Sequence, residues 1–354
     1  MAKSNNNNQA MVKLLTSLVG MRSISGKEEA SANLLASWLE SCGVTPYRLK
    51  NNVWAYNKHF DSSKPTILLN SHHDTVQPNS GYTRDPFEPH IVDGKLYGLG
   101  SNDAGGALVS LLYTFLHFHE AEDLKYNLCL ALSAEEEKSG KNGMELLYPK
   151  LGPIDFAIVG EPTLMNIAIA EKGLMVLDCT AHGKSGHAAH QEGENALYKA
   201  IDDIGWIRSY SFPEESDYLG PVVMTCTMIQ SGTQHNVIPD SCNFTVDVRS
   251  TDAHDNESVL KIVRNYMHSE VIPRSTRLNA SFIESEHPFV QAAVKFGART
   301  YGSPTTSDQA LIPAPSAKMG PGYSQRSHSP DEFIYLQELY DGLSQYINIL
   351  NEIL

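Results

Sequence analysis

The run "NLCLALSAEEEKSG", residues 127–140, decides the fold. Seven nearly apolar residues, 127–133, lead into three consecutive glutamates, Glu135 to Glu137. A short, continuously apolar run suits a strand buried on both faces of a mainly parallel sheet. "TILLN" (66–70) and "DFAIVG" (155–160) have the same character. Between the first and second of the three in chain order lies "GGALVSLLYTFLHFHE" (105–120), a helix by length and pattern. Buried strands alternating with helices define an α/β domain.

Working outward, Ser25 and Glu28 form a capping-box signature, followed by Leu34, Leu35, Trp38, Leu39 and Cys42 at helical spacing and a stop at Gly43. The asparagine run Asn5 to Asn8 is expected as a frayed tail. Near the end, Ser329-Pro330-Asp331-Glu332 predicts the start of a last helix with Leu336, Leu339, Tyr340, Leu343, Ile347 and Leu350 as its buried stripe. The middle changes character. Strands are expected at 174–181, 221–230, 243–250 and 277–284, and helices at 194–209 and 255–268. That order is βαββαβ, the ferredoxin-like unit. The expected organisation is therefore a discontinuous α/β domain, 1–173 and 287–354, interrupted by an inserted domain, 174–286.

The chain has 354 residues, 27 Lys plus Arg and 41 Asp plus Glu, for a formal charge of -14. Such a balance argues against a nucleic-acid surface. No run reaches the roughly 18 apolar residues of a membrane span. The polar N-terminus lacks a secretory apolar region. Five scattered cysteines without a C-x-x-C pair suit free thiols in a reducing compartment, so a cytoplasmic location is expected.

The chemistry collects at strand ends, where open α/β sheets bind ligands. "TILLN" leads to His72, His73 and Asp74; the middle strand leads to Glu135, Glu136 and Glu137; "DFAIVG" leads to Glu161. The loop "YGLGSNDAGG" puts Asp103 before a helix, and "GPGYSQRSHSP" carries His328. So many carboxylates converge at low cost only around cations. Imidazole mixed with carboxylate suits Zn²⁺ or a similar ion, and the set is rich enough for two ions sharing one carboxylate. Hydrolysis is the expected chemistry. Spacing alone does not divide the work among the three glutamates.

These pieces resemble the M20 metallopeptidase family, which includes acetylornithine deacetylase and succinyl-diaminopimelate desuccinylase. The matching residues are His72, Asp74 and Val76 of H-x-D-x-V, "GLGSND" with Asp103, the acidic pair within Glu135 to Glu137, "GEPT" (160–163), Gly186-His187 and His328. The resemblance implies a zinc-peptidase catalytic domain with two Zn²⁺ per subunit, Co²⁺ being an alternative. His72 and Glu161 would hold one ion, Glu137 and His328 the other, and Asp103 would bridge them. Asp74 would orient His72. With Lys138 following it, the pair becomes Glu136 as general base and Glu137 as ligand. The resemblance further implies a homodimer through the inserted domain, with His187 reaching the partner's site. Arg249 would bind a substrate carboxylate, with Asn236 as a further substrate contact. The expected reaction is amide hydrolysis of an N-acyl amino acid, acetylornithine deacetylase-like and placed in arginine biosynthesis. The alternatives are a succinyl-diaminopimelate desuccinylase, a dipeptidase, or an inactive metal-dependent binding protein. Leu99, Ala104 and Gly105 depart from the family's G-R-G-x-x-D-x-K-G loop.

Blander readings apply elsewhere. His73 should point away from its neighbours on an extended chain. His117 and His119 sit on an apolar helix. Arg249 could be an ordinary strand ion-pair residue. No G-x-S-x-G, G-x-x-x-x-G-K-[ST], H-E-x-x-H or G-x-G-x-x-G is present.

Overall fold

A computed structural model describes residues 2–190 and 192–354. Two compact units emerge. The first takes the chain to Ile169, then Ile283–Tyr301 and Ser307–Leu354; the second is Ala170–Phe282 with Gly302–Thr306.

The first unit opens with α1 (Ala2–Val19) and α2 (Glu29–Ser41). The asparagine run expected as a frayed tail lies inside α1. Met11, Leu14, Leu15 and Leu18 of that helix are buried at helical spacing, so packing of its C-terminal half carries the helix back through residues of poor propensity. Helix α2 starts after Glu28, with no side-chain cap. The expected capping box fails because strand-end loops recruit both residues. Ser25 donates to Asp74, and the Glu28 carboxylate accepts from Asn51 and from the amide of Glu135. Gly43, at φ 81°, ends α2 as expected.

Next come β1 (Tyr47–Leu49), β2 (Asn52–Tyr56), β3 (Thr66–His72), β4 (His90–Val92), β5 (Lys95–Tyr97), α3 (Gly106–Phe118), β6 (Asn127–Ser133), α4 (Met144–Leu147), β7 (Phe156–Val159) and β8 (Ile167–Glu171). Strands β6, β3 and β7 lie side by side and parallel. Their alternate residues feed two cores. Ile67, Leu69, Leu128, Leu130, Leu132, Phe156 and Ile158 face the helices, while Leu68, Cys129, Ala131, Ala157 and Val159 face a smaller cluster with Met144 and Leu147. That two-sided burial explains why these strands read as continuous apolar runs.

The second unit contains β9 (Met175–His182), β10 (Gly186–His187), α5 (Ala196–Ser209), β11 (Val223–Ser231), β12 (Val237–Ile238), β13 (Ser241–Arg249), α6 (Asn256–Tyr266), β14 (Glu270–Pro273) and β15 (Ser281–Phe282). Its antiparallel sheet runs β11-β13-β9-β14, the ferredoxin-like order. Asn195 and Asp255 cap the two helices. The strand expected at 277–284 is not the fourth strand of this sheet. Glu270–Pro273 takes that place, and only Ser281–Phe282 is extended, paired with Ala170–Glu171. That pairing also moves the division from 173/174 and 286/287 to 169/170 and 282/283.

The chain closes with α7 (Pro288–Lys295), β16 (Thr300–Ser303), β17 (Ser316–Lys318), β18 (Phe333–Tyr335) and α8 (Leu336–Ile353). Strand β17 extends the parallel core beside β7. The last helix starts at Leu336, not after the Ser-Pro-Asp-Glu signature. Glu338 accepts from the Tyr335 amide at its start, while Glu332 is drawn into a buried loop. Among the described residues, no helix is long and apolar enough to cross a membrane.

Candidate metal centre

Parallel strands aim their carboxyl ends the same way, so the residues following β3, β6 and β7 meet at one edge. His72 ends β3 and is fully buried. Its Nδ1 lies 3.0 Å from the Asp74 carbonyl and 3.5 Å from Asp74 Oδ1. Holding Nδ1 in this way leaves Nε2 as the free donor atom. Nε2 faces Asp103 Oδ1 at 3.4 Å, and Glu136 Oε2 and Glu161 Oε1 at 3.8 Å each. At the other end, His328 Nε2 lies 2.9 Å from Glu137 Oε2 and 3.6 Å from Asp103 Oδ2. Asp103 thus offers one oxygen toward each histidine. His72, Asp103 and Glu137 each present an atom within a 4.8 Å cluster.

The turn after β6 separates Glu135 from Glu136 and Glu137. Glu135 adopts φ 57°, which rotates the chain out of the strand. Its carboxylate turns to Asn142 Nδ2 at 3.0 Å and to Lys138 Nζ at 3.5 Å. Glu136 and Glu137 turn inward, and their amides donate to Asp74 Oδ1 and Oδ2 at 3.0 and 3.1 Å. Asp74 therefore braces His72 and the acidic turn together. His73 points away, with Ser31 at 2.8 Å from Nδ1 and the Asn51 carbonyl at 2.9 Å from Nε2.

The electrostatics mark a site short of positive charge. Burial, with Glu161 and Glu137 nearby, pushes the Glu136 carboxyl well above its usual range. Burial and Asp103 raise Glu137 as well, against the hydrogen bond from His328. Glu161 rises to about 8 through burial and Asp103, although His72 and Lys318 oppose this. The bond to Glu137 lifts His328 to about 9. Asp103 stays low despite burial because His72, Ser327 and His328 surround it. Four carboxylates share two imidazoles, and protons alone fill the deficit at the expense of carboxylate charge. Two divalent cations would fill it without protonation, so the donor set fits a dinuclear centre.

The remaining predicted residues lie in the second unit. His187 pairs with Val237 across β10 and β12, and the Ala188 amide donates to the Asn236 carbonyl at 3.0 Å, so His187 and Asn236 lie on one small two-stranded antiparallel ladder. The Ala189 amide donates to His187 Nδ1 at 3.2 Å, which leaves Nε2 as the proton-bearing nitrogen. Arg249 ends β13 and grips Asp247 through Nε at 2.7 Å and Nη2 at 3.1 Å.

Sequence reasoning missed four contributors. Glu332 was assigned to a helix cap, yet it is buried and accepts from the amides of Asn102 and Asp103. Asn102 bonds to the His328 loop. Asp308 is buried and accepts from Ser133 at 2.5 Å. Ser25 bonds to Asp74. Their only sequence signal is polarity beside Gly- or Ser-rich loops.

A parallel sheet whose strand ends, with two neighbouring loops, gather two histidines and four carboxylates defines a metal-dependent hydrolase with a dinuclear site. Residues 68–352 match the model of peptidase family M20/M25/M40, and the chain belongs to that family. It is 28% identical over 353 residues to a peptidase M20 domain-containing protein of Schizosaccharomyces pombe, covering 95% of this chain and 83% of that protein. It is also 28% identical over 272 residues to the succinyl-diaminopimelate desuccinylase of Psychromonas ingrahamii, covering 72% and 71%. Among solved structures, a tripeptidase from Staphylococcus aureus shares the fold with a TM-score of 0.78 at 20% identity, over 98% of both chains.

Proposed function

We propose that this enzyme hydrolyses the amide bond of an N-acyl amino acid, in the manner of an acetylornithine deacetylase acting on an N-acyl-ornithine or N-acyl-citrulline. The observation that carries the reading is Glu136. It stands inside the donor cluster, 3.8 Å from His72 Nε2, fixed through its amide to Asp74. The others suffice to hold two ions, Zn²⁺ by donor chemistry: His72 with Glu161, Glu137 with His328, and Asp103 between. When bound, the ions acidify a water and polarise the amide carbonyl. Glu136 then takes the proton from the attacking water and delivers it to the departing amine. Asp74 keeps the His72 ring and the Glu136 turn in place. Arg249 anchors the substrate carboxylate through Nη1, which Asp247 does not hold and which otherwise makes a long 3.5 Å bond to Thr306 Oγ1, and Asn236 adds a polar contact. His187, as an Nε2–H donor, stabilises the developing oxyanion of a partner subunit's site.

The dimer reading has support within the second unit. Strand β11 is a sheet edge, and Met228 and Ile229 on it are 65% and 51% exposed. Tyr198 and Ile201 on α5 are 65% and 51% exposed. An open edge with apolar surface suits a second copy.

Zn²⁺-loaded enzyme should release free amine from N-acetylornithine or N-acetylcitrulline faster than from N-succinylornithine, N-succinyl-diaminopimelate or a dipeptide. A second reading, desuccinylase activity, draws on the names of the relatives that match, and a preference for the succinyl substrates would establish it instead. Turnover of none of these by metal-replete protein would sink the enzymatic reading and leave a metal-dependent binding protein.

A further inference from the structure

The predicted donors do not rest on equal supports. His72 and Glu161 follow adjacent strands of the parallel core. His328 sits in a loop, with φ 58° and a side chain 55% exposed. A donor on a loop holds its geometry only if its support is locked. Two groups on either side of His328 supply that lock. After it, the buried Glu332 carboxylate accepts through Oε1 from the amides of Asn102 at 2.8 Å and Asp103 at 2.9 Å. Before it, the Asn102 side chain reaches back. Its Oδ1 accepts from the Tyr323 amide at 2.9 Å, and its Nδ2 donates to the Tyr323 carbonyl at 3.2 Å and Ser327 Oγ at 3.4 Å. The fit is close at Gly322, where φ is 93° and any Cβ would stand 2.6 Å from Asn102 Oδ1. Each loop therefore holds the other, with Asp103 on one and His328 between the two grips. Neither side chain bonds to His72 or Glu161 themselves, although Asp103 Oδ1 also faces His72 Nε2 at 3.4 Å and Tyr323 pairs with Thr163 beside Glu161.

We propose that Asn102 and Glu332 are positioning residues that assemble the half-site of Asp103, Glu137 and His328, and so set the affinity of the ion that Glu137 and His328 would hold more strongly than that of the other. The proposal rests on the dinuclear reading. Each grip is only two or three hydrogen bonds lying outside the parallel core, so losing one should loosen His328 without unfolding the sheet. Partners behind a metal's direct donors are worth roughly 10–100-fold in affinity.

The test is a Zn²⁺ titration of the metal-free full chain against a competing chelator, with Co²⁺ absorption as a second readout. Wild type should take up two ions in resolvable steps. Asn102→Ala should weaken one step by roughly 10–100-fold and the other by clearly less. Glu332→Ala should do the same. Glu332→Gln keeps a carbonyl oxygen for the two amides, so it should recover most of the loss. Should Asn102→Ala fail to fold by circular dichroism, Asn102→Ser gives the same comparison with a smaller cavity. Equal weakening of both steps, or of neither, overturns the proposal. A wild-type chain that takes up fewer than two ions overturns the dinuclear reading, and the proposal with it.

Discussion

Replacing Asp74 by asparagine changes one atom and tests the logic of the site. The native carboxylate accepts from Ser25 Oγ at 2.5 Å, from the Glu136 amide at 3.0 Å and from the Glu137 amide at 3.1 Å, with His72 Nδ1 at 3.5 Å. The hydroxyl can turn and accept instead, but a backbone amide cannot. Whichever way the asparagine is flipped, its NH₂ faces one of the two amides. Stranding a buried amide costs about 1–3 kcal/mol, and weakening the remaining bonds from charged to neutral adds about 1 kcal/mol or more. The expected loss of stability is about 2–4 kcal/mol. Urea unfolding of metal-free protein measures it. Trp38 and Trp54 report the first unit once Trp206, in the second, is replaced by phenylalanine. The loss should come with Zn²⁺ affinity lowered roughly 10–100-fold, because the substitution removes the carboxylate charge behind the His72 ring, leaving Nδ1 only the residue-74 carbonyl, and shifts Glu137. Ser25→Ala is the control. It removes one donor, so about 1 kcal/mol should be lost with metal affinity unchanged. An Asp74→Asn protein that unfolds at the wild-type urea concentration and binds Zn²⁺ as wild type does would refute the reasoning.

Glu136→Gln should keep both ions and lower kcat by about 10²–10⁴-fold, whereas Glu137→Gln should weaken one ion; metal analysis beside steady-state kinetics separates them. Mixing Glu136→Ala with His187→Ala subunits should restore part of the activity through heterodimers with one intact composite site. No recovery, with heterodimers shown to form, would exclude action across subunits. Asp308 gives a pH-dependent stability prediction. Burial lifts its carboxyl from 3.8 to about 6, so the folded, metal-free chain keeps that proton where the unfolded chain has lost it. The associated stability is full below 3.8 and is lost as pH rises through about 6, a total of about 3 kcal/mol. Asp308→Asn should therefore stabilise metal-free protein at neutral pH by up to that amount, with no gain below pH 3.8, in urea titrations at several pH values.

The parallel core was legible because both faces of each central strand are buried, and two-sided burial writes itself as a continuous apolar run. Residues 127–133 matched β6 residue for residue. The second unit was legible for the opposite reason. Residues of β9 alternate buried and open along the strand, which writes a period of two. The fourth strand was misplaced because Glu270–Pro273 is four residues long and carries no such signal. Both capping signatures misled for one physical reason. Ser25, Glu28 and Glu332 have the chemistry of a helix cap, and a buried loop rich in unsatisfied amides competes for the same groups.

That competition also explains why the candidate donors stand out in the sequence and most of the groups that support them do not. A metal donor is restricted to a few residue types, and its place after a buried strand is fixed by the sheet, so His72 and Glu161 can be picked out one at a time. A support is defined only by which donor it meets, and amides and hydroxyls are everywhere in the chain. Glu332 meets Asn102 and Asp103 across about 230 residues of sequence, and Asp308 meets Ser133 across 175. Nothing local distinguishes them from surface glutamate or aspartate except that the fold buries them. An unpaired buried carboxylate is costly, so each such residue must either bind donors or keep its proton. Glu332 does the first with two backbone amides, although burial still raises it to about 8. The buried acids outside the donor set are thus the positions where the fold pays stability to hold the site in shape.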